Sequence, residues 1–459
     1  MSLAKYREYK DSGLDWLGQV PAHWPIKRLR FVAELNPSKA ELASIDRTTE
    51  VSFLPMEAIG DDGSIRLERT RTIAEVETGY TYFRNGDVTL AKITPCFENG
   101  KGALMQGLTA GIGFGTTELI VARPKASQVL GTFLNWIFRS PNFRAQGEAS
   151  MYGAGGQKRV PDDFVRNLSW ALPPLNEQTA IAAFLDRETL KIDALIVEQV
   201  KLIALLTEKR QATISHAVTK GLNPNAPMND SGVAWLGEVP KHWRVGKIQS
   251  FARRESGHTP SRQRPDYWEN CTIPWFSLAD VWQIRNGDLK YVRETKEKVS
   301  ELGLANSSAR LLPAGTVILS RTASVGYSAI MGCDMATTQD FVNWVCSALL
   351  KPEFLLYVLR GMRTEFDRLM MGSTHQTIYM PDIAKLAMAL PDESEQTNII
   401  GFLDFETEKL ANLIQAAEKA IKLLVERRSA LIAAAVTGKV DVRGTVPQAA
   451  AETSEAIAA

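Results

Sequence analysis

The sequence predicts an α+β fold: two mixed α/β domains separated by two long antiparallel helices, in a circular arrangement with pseudo-two-fold symmetry. Three observations carry this expectation. First, Asp11-Ser12-Gly13, Trp16-Leu17-Gly18, Val20-Pro21 and His23-Trp24 return 219 residues later as Asp230-Ser231-Gly232, Trp235-Leu236-Gly237, Val239-Pro240 and His242-Trp243. Second, Leu172-Pro173, Glu177-Gln178-Thr179 and Phe184-Leu185-Asp186 recur 218 residues on as Leu390-Pro391, Glu395-Gln396-Thr397 and Phe402-Leu403-Asp404. Two copies of a long unit imply a pseudosymmetric molecule. Third, each of the later motifs opens a stretch of helical apolar spacing. One is marked by Ile181, Leu185, Ile192, Leu195, Ile196, Leu202, Ile203 and Leu206. The other is marked by Ile400, Leu403, Leu410, Leu413, Ile414, Ala417, Ile421, Leu424 and Leu431.

Along the chain, residues 1–24 carry the first copy of the Trp-Leu-Gly motif. Residues 25–171 mix short strand-like runs (Gly86–Lys92, Thr117–Ala122) with a helical stretch at Leu130–Arg139. Residues 172–243 hold the first long helix, ended by Pro224 and Pro227, and the second motif copy. Residues 244–389 form another mixed block, with Gly315–Arg321 mirroring the earlier strand, and 390–445 hold the second long helix. The Ala-rich, polar 446–459 is expected to be disordered. Each helix of about 40 residues is roughly 60 Å long at 1.5 Å per residue. An antiparallel pair of that length makes a spacer somewhat longer than one turn of DNA, about 34–36 Å. The first helix is followed by a Trp-Leu-Gly segment and the second is not, so Asp11–Trp24 is expected to dock beside the end of the second helix and close the circle.

With 459 residues, 45% apolar and 23% charged, the chain has the make-up of a globular protein of several domains. A net charge of +1 leaves room for a local basic groove. No apolar run reaches membrane-spanning length, and Cys96, Cys271, Cys333 and Cys346 are too scattered for a zinc site. They read as reduced and mostly buried, in a cytoplasmic protein. There is no Gly-x-x-x-x-Gly-Lys-[Ser/Thr] loop, and the five histidines form no ligand pair on a helical face. One nuclease-like trace exists: Pro265-Asp266 followed by Glu294-Thr295-Lys296, residue types able to hold Mg²⁺ beside a lysine.

Signals for nucleic acid are broader. Basic residues interleave with small polar and aromatic ones at Lys27, Arg28, Arg30, Arg66, Arg69 and Arg71, and again at Arg244, Lys247, Arg253, Arg254, Arg262 and Arg264. Lys92 and Arg321 follow equivalent strands. Thr116-Thr117-Glu118 is matched with Thr337-Thr338-Gln339, and the Gly-rich Gly153–Lys158 with Gly372–Thr377.

These paired motifs resemble the specificity subunit of type I restriction–modification systems over nearly the whole chain. The resemblance rests on Trp-Leu-Gly-x-Val-Pro-x-His-Trp at 16–24 and 235–243, the Leu-Pro…Glu-Gln-Thr openings at Leu172 and Leu390, and the Phe-Leu-Asp starts of both helices. It implies a non-catalytic, DNA-binding subunit whose target recognition domains, 25–171 and 244–389, each read one half of a bipartite site. It also implies helices that dock two methyltransferase (M) subunits, with two restriction (R) subunits able to join. S-adenosylmethionine, ATP and Mg²⁺ would belong to those partners, and this chain would hold no cofactor or metal. The residues expected at DNA are Lys92, Thr116, Thr117, Gln157 and Lys158 in the first domain, and Arg321, Thr337, Thr338, Gln339 and Gln376 in the second. One departure is Pro391-Asp392, where the first copy has Pro173-Pro174. The rival readings are a Mg²⁺-dependent nuclease built on Asp266, Glu294 and Lys296, and a coiled-coil scaffold with no DNA role.

Overall fold

The computed structural model describes residues 4–154, 156–370 and 377–445; the tail 446–459 lies outside them. Two long helices dominate, Leu175–Lys220 and Glu393–Val436, of 46 and 44 residues. The chain divides into two compact units through the middle of both: residues 1–198 with 421–459, and residues 199–420. Each unit therefore contains the start of one helix and the end of the other.

Both helices show one residue pattern. In the first, Leu185, Thr189, Ile192, Ile196, Gln199, Ile203, Leu206 and Arg210 are the covered positions; in the second, Leu403, Thr407, Leu410, Ile414, Ala417, Ile421, Leu424 and Arg428. Spacing of four and three residues in alternation is the 3.5-residue repeat of a coiled-coil face. Leu195, Leu202 and Leu413, expected on that face, are instead exposed. The helix starts differ in chemistry. Pro173-Pro174 precedes the first, whereas Asp392 caps the second by accepting from the Glu395 amide at 2.8 Å. An Asx cap satisfies one of the four orphan amides that every helix start leaves.

In the first unit, one sheet runs Thr70–Thr72, Glu50–Leu54, Ile112–Gly115, Thr81–Arg84, and another runs Ala33–Leu35, Leu119–Pro124, Val88–Ala91, Gly102–Leu104. Helix Gly131–Arg139 seals one side, burying Phe133, Leu134, Trp136, Ile137 and Phe138. Its core is continuous with Ile181 and Leu185 of the first long helix and Ile432 and Val436 of the second. In the second unit, a five-stranded sheet runs Ala252–Ser256, Phe341–Cys346, Val317–Ser320, Ser328–Met331, Tyr291–Val292, beside a three-stranded one. Helix Pro352–Gly361 takes the place of Gly131–Arg139, and Phe354 and Tyr357 pack with Ile399, Leu403, Ile214 and Val218.

The frame joining each mixed block to its long helices is the same in both units. Glu177, in the first turn of the helix, is 4% exposed; its Oε2 accepts from Trp24 Nε1 at 3.0 Å and Tyr6 Oη at 3.2 Å. His23 Nε2 lies 2.7 Å from its Oε1. Glu395 repeats this with Trp243 Nε1 at 2.9 Å and His242 Nε2 at 2.8 Å. The next residues, Gln178 and Gln396, are fully buried. Gln178 accepts from the Leu130 amide and donates to the Pro173 and Gln128 carbonyls; Gln396 accepts from the Lys351 amide and donates to Pro391 and Leu349. Buried polar groups matched this completely stabilise the frame and forbid alternative packings.

The first unit also contains the closure. Lys439 Nζ donates to the carbonyls of Leu17 at 3.1 Å and Gln19 at 2.6 Å, and the Asp441 amide donates to Ala4. In the second unit Lys220 makes the matching contact with the Glu238 carbonyl. The sequence order is inverted, Lys220-Gly221 against Gly438-Lys439, yet both glycines turn the chain at φ +70. A Cβ at Gly438 would fall 2.4 Å from Pro21 and 3.0 Å from Trp24, so only glycine fits there.

Candidate nucleic-acid interface

Equivalent strand ends build an edge in each unit. The Lys92 amide donates to the Glu118 carbonyl at 2.8 Å, and its own carbonyl accepts from Val160 at 2.8 Å. The Arg321 amide donates to Asp340 at 2.9 Å, and its carbonyl accepts from Ile378 at 2.9 Å. This backbone pattern aligns Glu118 with Asp340. The hydroxyls agree: the Glu118 amide donates to Thr116 Oγ1 at 3.2 Å and the Asp340 amide to Thr338 Oγ1 at 3.3 Å. Thr116-Thr117-Glu118 therefore corresponds to Thr338-Gln339-Asp340, one residue on from the match expected in the sequence. The two threonine pairs hid the slip, because either register aligns a Thr with a Thr.

The new register sorts the candidate residues. Thr117 and Gln339 are equivalent and both exposed. Thr116 and Thr338 are turn-forming residues whose hydroxyls are taken by the backbone. Thr338 is 5% exposed and also donates to Asp340 Oδ2 at 3.0 Å. Thr337 is 1% exposed and accepts from Asn343 Nδ2 at 2.9 Å. The expectation that Thr337 and Thr338 face a ligand is thus corrected: strand pairing turns both inward.

The first edge gathers three loops. Ile93 bridges to Arg159, the Thr94 amide donates to the Lys158 carbonyl, and the Lys158 amide donates to Thr94 Oγ1. Lys92, Thr117, Gln157 and Lys158 so come to one place, with Gln157 and Lys158 exposed and Lys92 half-buried. Glu118 and Arg159, absent from the sequence expectation, join them in a two-pronged pair at 2.7 and 3.0 Å. Arg159 hydrogen bonds hold the Glu118 carboxyl below the usual carboxylate range. In the second edge, Gln339 Oε1 accepts from Thr259 Oγ1 at 2.7 Å, and Arg321 Nε donates to the Gln339 carbonyl at 3.0 Å. Gln376 lies outside the described residues, although Thr377 bridges to Thr322 beside Arg321. Close by in sequence, Arg262 stacks 3.7 Å from the Trp268 ring centre and 5.4 Å from Trp275. Such arginine–aromatic planes present both charge and a stacking face. Thr259 carries no sequence signal of its own, while Arg262 sits in a basic run that was legible.

Residues 240–423 match the family model described as the type I restriction modification DNA specificity domain. That match covers 184 of the chain's 459 residues. A relative, the type I restriction enzyme EcoAI specificity subunit of Escherichia coli, is 46% identical over 165 residues. That stretch is 36% of this chain and only 27% of the relative, so the match spans about a quarter of the curated protein's length. Among solved structures, one from work on complex assembly and conformational transition of the type I R-M system aligns at TM-score 0.74 and 21% identity, covering 91% of this chain and 98% of that one. The HsdS subunit from Thermoanaerobacter tengcongensis aligns at TM-score 0.59 and 21% identity, covering 92% and 98%. These likenesses establish a shared fold.

The matched region 240–423 also contains the residues of the nuclease-like trace. Asp266 is held by Arg264 at 2.8 and 3.0 Å, and the Lys296 backbone amide donates to Asp280. No group of three His, Cys, Asp or Glu residues converges among the described residues. Nor is any helix among them long and apolar enough to cross a membrane. The four cysteines are half-buried and unpaired, more open than a core position.

Proposed function

We propose that this chain is the sequence-reading subunit of a type I restriction–modification complex. Target recognition domains 25–171 and 244–389 would each read one half of a bipartite DNA site. The observation that carries this is the duplicated frame: the same Glu–His–Trp and Gln contacts hold two mixed blocks whose exposed edges differ. A frame that is kept while its edges change suits one scaffold presenting two reading heads. Lys92, Thr117, Gln157 and Lys158 on one edge, and Arg321 and Gln339 on the other, are the side chains proposed to meet DNA. Arginine and glutamine can read base edges bidentately, and lysine neutralises phosphate.

The chain would be non-catalytic and cytoplasmic, with methyl transfer and ATP-driven cleavage belonging to partner subunits that bind S-adenosylmethionine, ATP and Mg²⁺. The exposed apolar residues of the long helices, among them Leu195, Val200, Leu202, Phe405 and Leu413, offer contact area for two methyltransferase subunits. The test is a map of methylated adenines in cells co-expressing this chain with a partner methyltransferase. A two-part motif with a fixed gap, lost when the chain is omitted, is expected. A continuous motif, or methylation indifferent to the chain, would refute the proposal.

A further inference from the structure

Both units place an arginine pair where the mixed block meets a long helix. In the first unit Arg139 and Arg428 line one cavity; in the second, Arg360 and Arg210 line another. The positions correspond, since Arg139 and Arg360 each lie three residues beyond the Trp136 and Tyr357 that bond Asp186 and Asp404. Arg428 and Arg210 occupy the same step of the helical repeat.

The two cavities differ in charge. The first, of about 290 Å³, adds one further arginine, Arg144, but also Asp61 and Asp62 to its lining, and Arg428 pairs with Asp193 at 3.4 Å. The second is about 900 Å³ and adds Arg285 and Arg363 to the pair. Its one acidic lining residue is Glu208. Arg210 is neutralised by Asp288 at 3.0 Å, and Arg363 reaches Asp367 at 3.4 Å. Arg360 donates to the Leu289 carbonyl at 2.8 Å; neither it nor Arg285 has a carboxylate within 4.0 Å among the described residues. Burial pushes the Arg360 guanidinium down to about 10, so it stays charged at neutral pH. Ser328, 3% exposed, adds a hydroxyl with no hydrogen-bond partner to the same lining. Unbalanced, partly buried positive charge with a free donor is a site for an anion.

The loop Arg321–Gly326 links that cavity to the reading edge. Gly326, on the cavity lip, donates its amide to the Ser320 carbonyl at 2.9 Å, one residue from Arg321. We infer that the cavity lined by Arg285, Arg360 and Arg363 binds backbone phosphates of the duplex whose bases face Arg321 and Gln339. This rests on the DNA-reading proposal and adds a second, sequence-independent foothold in one half of the molecule only.

The experiment uses the full chain assembled with its methyltransferase subunits and titrates duplex DNA at rising salt. For the double variant Arg285→Gln/Arg363→Gln, the slope of log K against log salt should fall by about 2, with equal loss on site-bearing and scrambled duplexes. The advantage of wild type over the variant should then shrink about tenfold between 50 and 200 mM salt. Arg166→Gln, on the first unit's surface, should leave the slope unchanged. An unchanged slope in the double variant overturns the inference while the DNA-reading proposal stands. Wild type that binds no duplex overturns both. If inorganic phosphate raises the melting temperature of wild type but not of the double variant, and the slope is unchanged, the cavity takes a small anion and the inference also fails.

Discussion

Removing the Glu177 carboxylate tests the frame directly. In Glu177→Ala, the Trp24 indole and the Tyr6 hydroxyl lose a charged acceptor at 3.0 and 3.2 Å while remaining 0% and 4% exposed. Hydrogen bonds to charged groups contribute about 1.5–3 kcal/mol each, and a buried donor left unpaired forfeits its desolvation. The His23 and Arg443 contacts add little, because those side chains are 44% and 47% exposed and screened by water. The expected loss is about 3–6 kcal/mol. Glu395→Ala removes one buried indole contact, from Trp243, and one exposed histidine contact, and should cost about 2–3 kcal/mol. Glu177→Gln should recover most of the loss, because one amide oxygen can replace the Oε2 that serves both Trp24 and Tyr6. Urea denaturation ranks the variants, and hydrogen exchange on the hairpin Tyr9–Asp11/Gln19–Pro21 shows whether the N-terminal segment detaches. Equal losses at Glu177 and Glu395, or unchanged protection in that hairpin, would refute the reasoning.

Other consequences are as specific. Thr117→Ala and Gln339→Ala should each alter the recognised motif in one half-site, seen by methylation mapping, while shifting stability by less than about 0.5 kcal/mol. Thr338→Ala should instead lose about 1 kcal/mol in denaturation, because it removes a buried turn-forming hydroxyl. Asp392→Ala should cost about 1 kcal/mol through the lost helix cap, whereas Pro174→Ala should be nearly neutral in the same assay. Burial raises the Asp186 carboxyl above its usual 3.8, outweighing the hydrogen bond from Trp136 and the nearby Arg139. A carboxyl that binds its proton more tightly when folded loses stabilisation as pH rises from 3.8 through the folded value. Wild type should therefore lose stability relative to Asp186→Asn across that window and stay level above it. A difference in urea midpoint that does not change between pH 3.5 and 6.5 would contradict this.

The doubled motifs, the long helices and the docking of Asp11–Trp24 beside the second helix were legible because each is a local or periodic signal. A 3.5-residue repeat shows in the spacing of Leu403, Leu410, Ala417 and Leu424, and a repeated His-Trp is visible without a partner. What the sequence alone determined is this frame. Tertiary structure decided which side chains the edges expose. Nothing local distinguishes Thr337 and Thr338, buried by pairing with Asn343 and Asp340, from Thr117, left open on its loop. The one-residue register of that loop depends on bonds from Lys92 and Arg321, strands away. Glu177 and Glu395 look like surface residues of a charged helix until Trp24 and Trp243 close over them. Likewise Arg285, Arg360 and Arg363, up to 78 residues apart, become one cavity only when the sheet folds against the helix. Periodicity reports which face of an element is covered, but the groups that a distant segment brings to it are settled by packing.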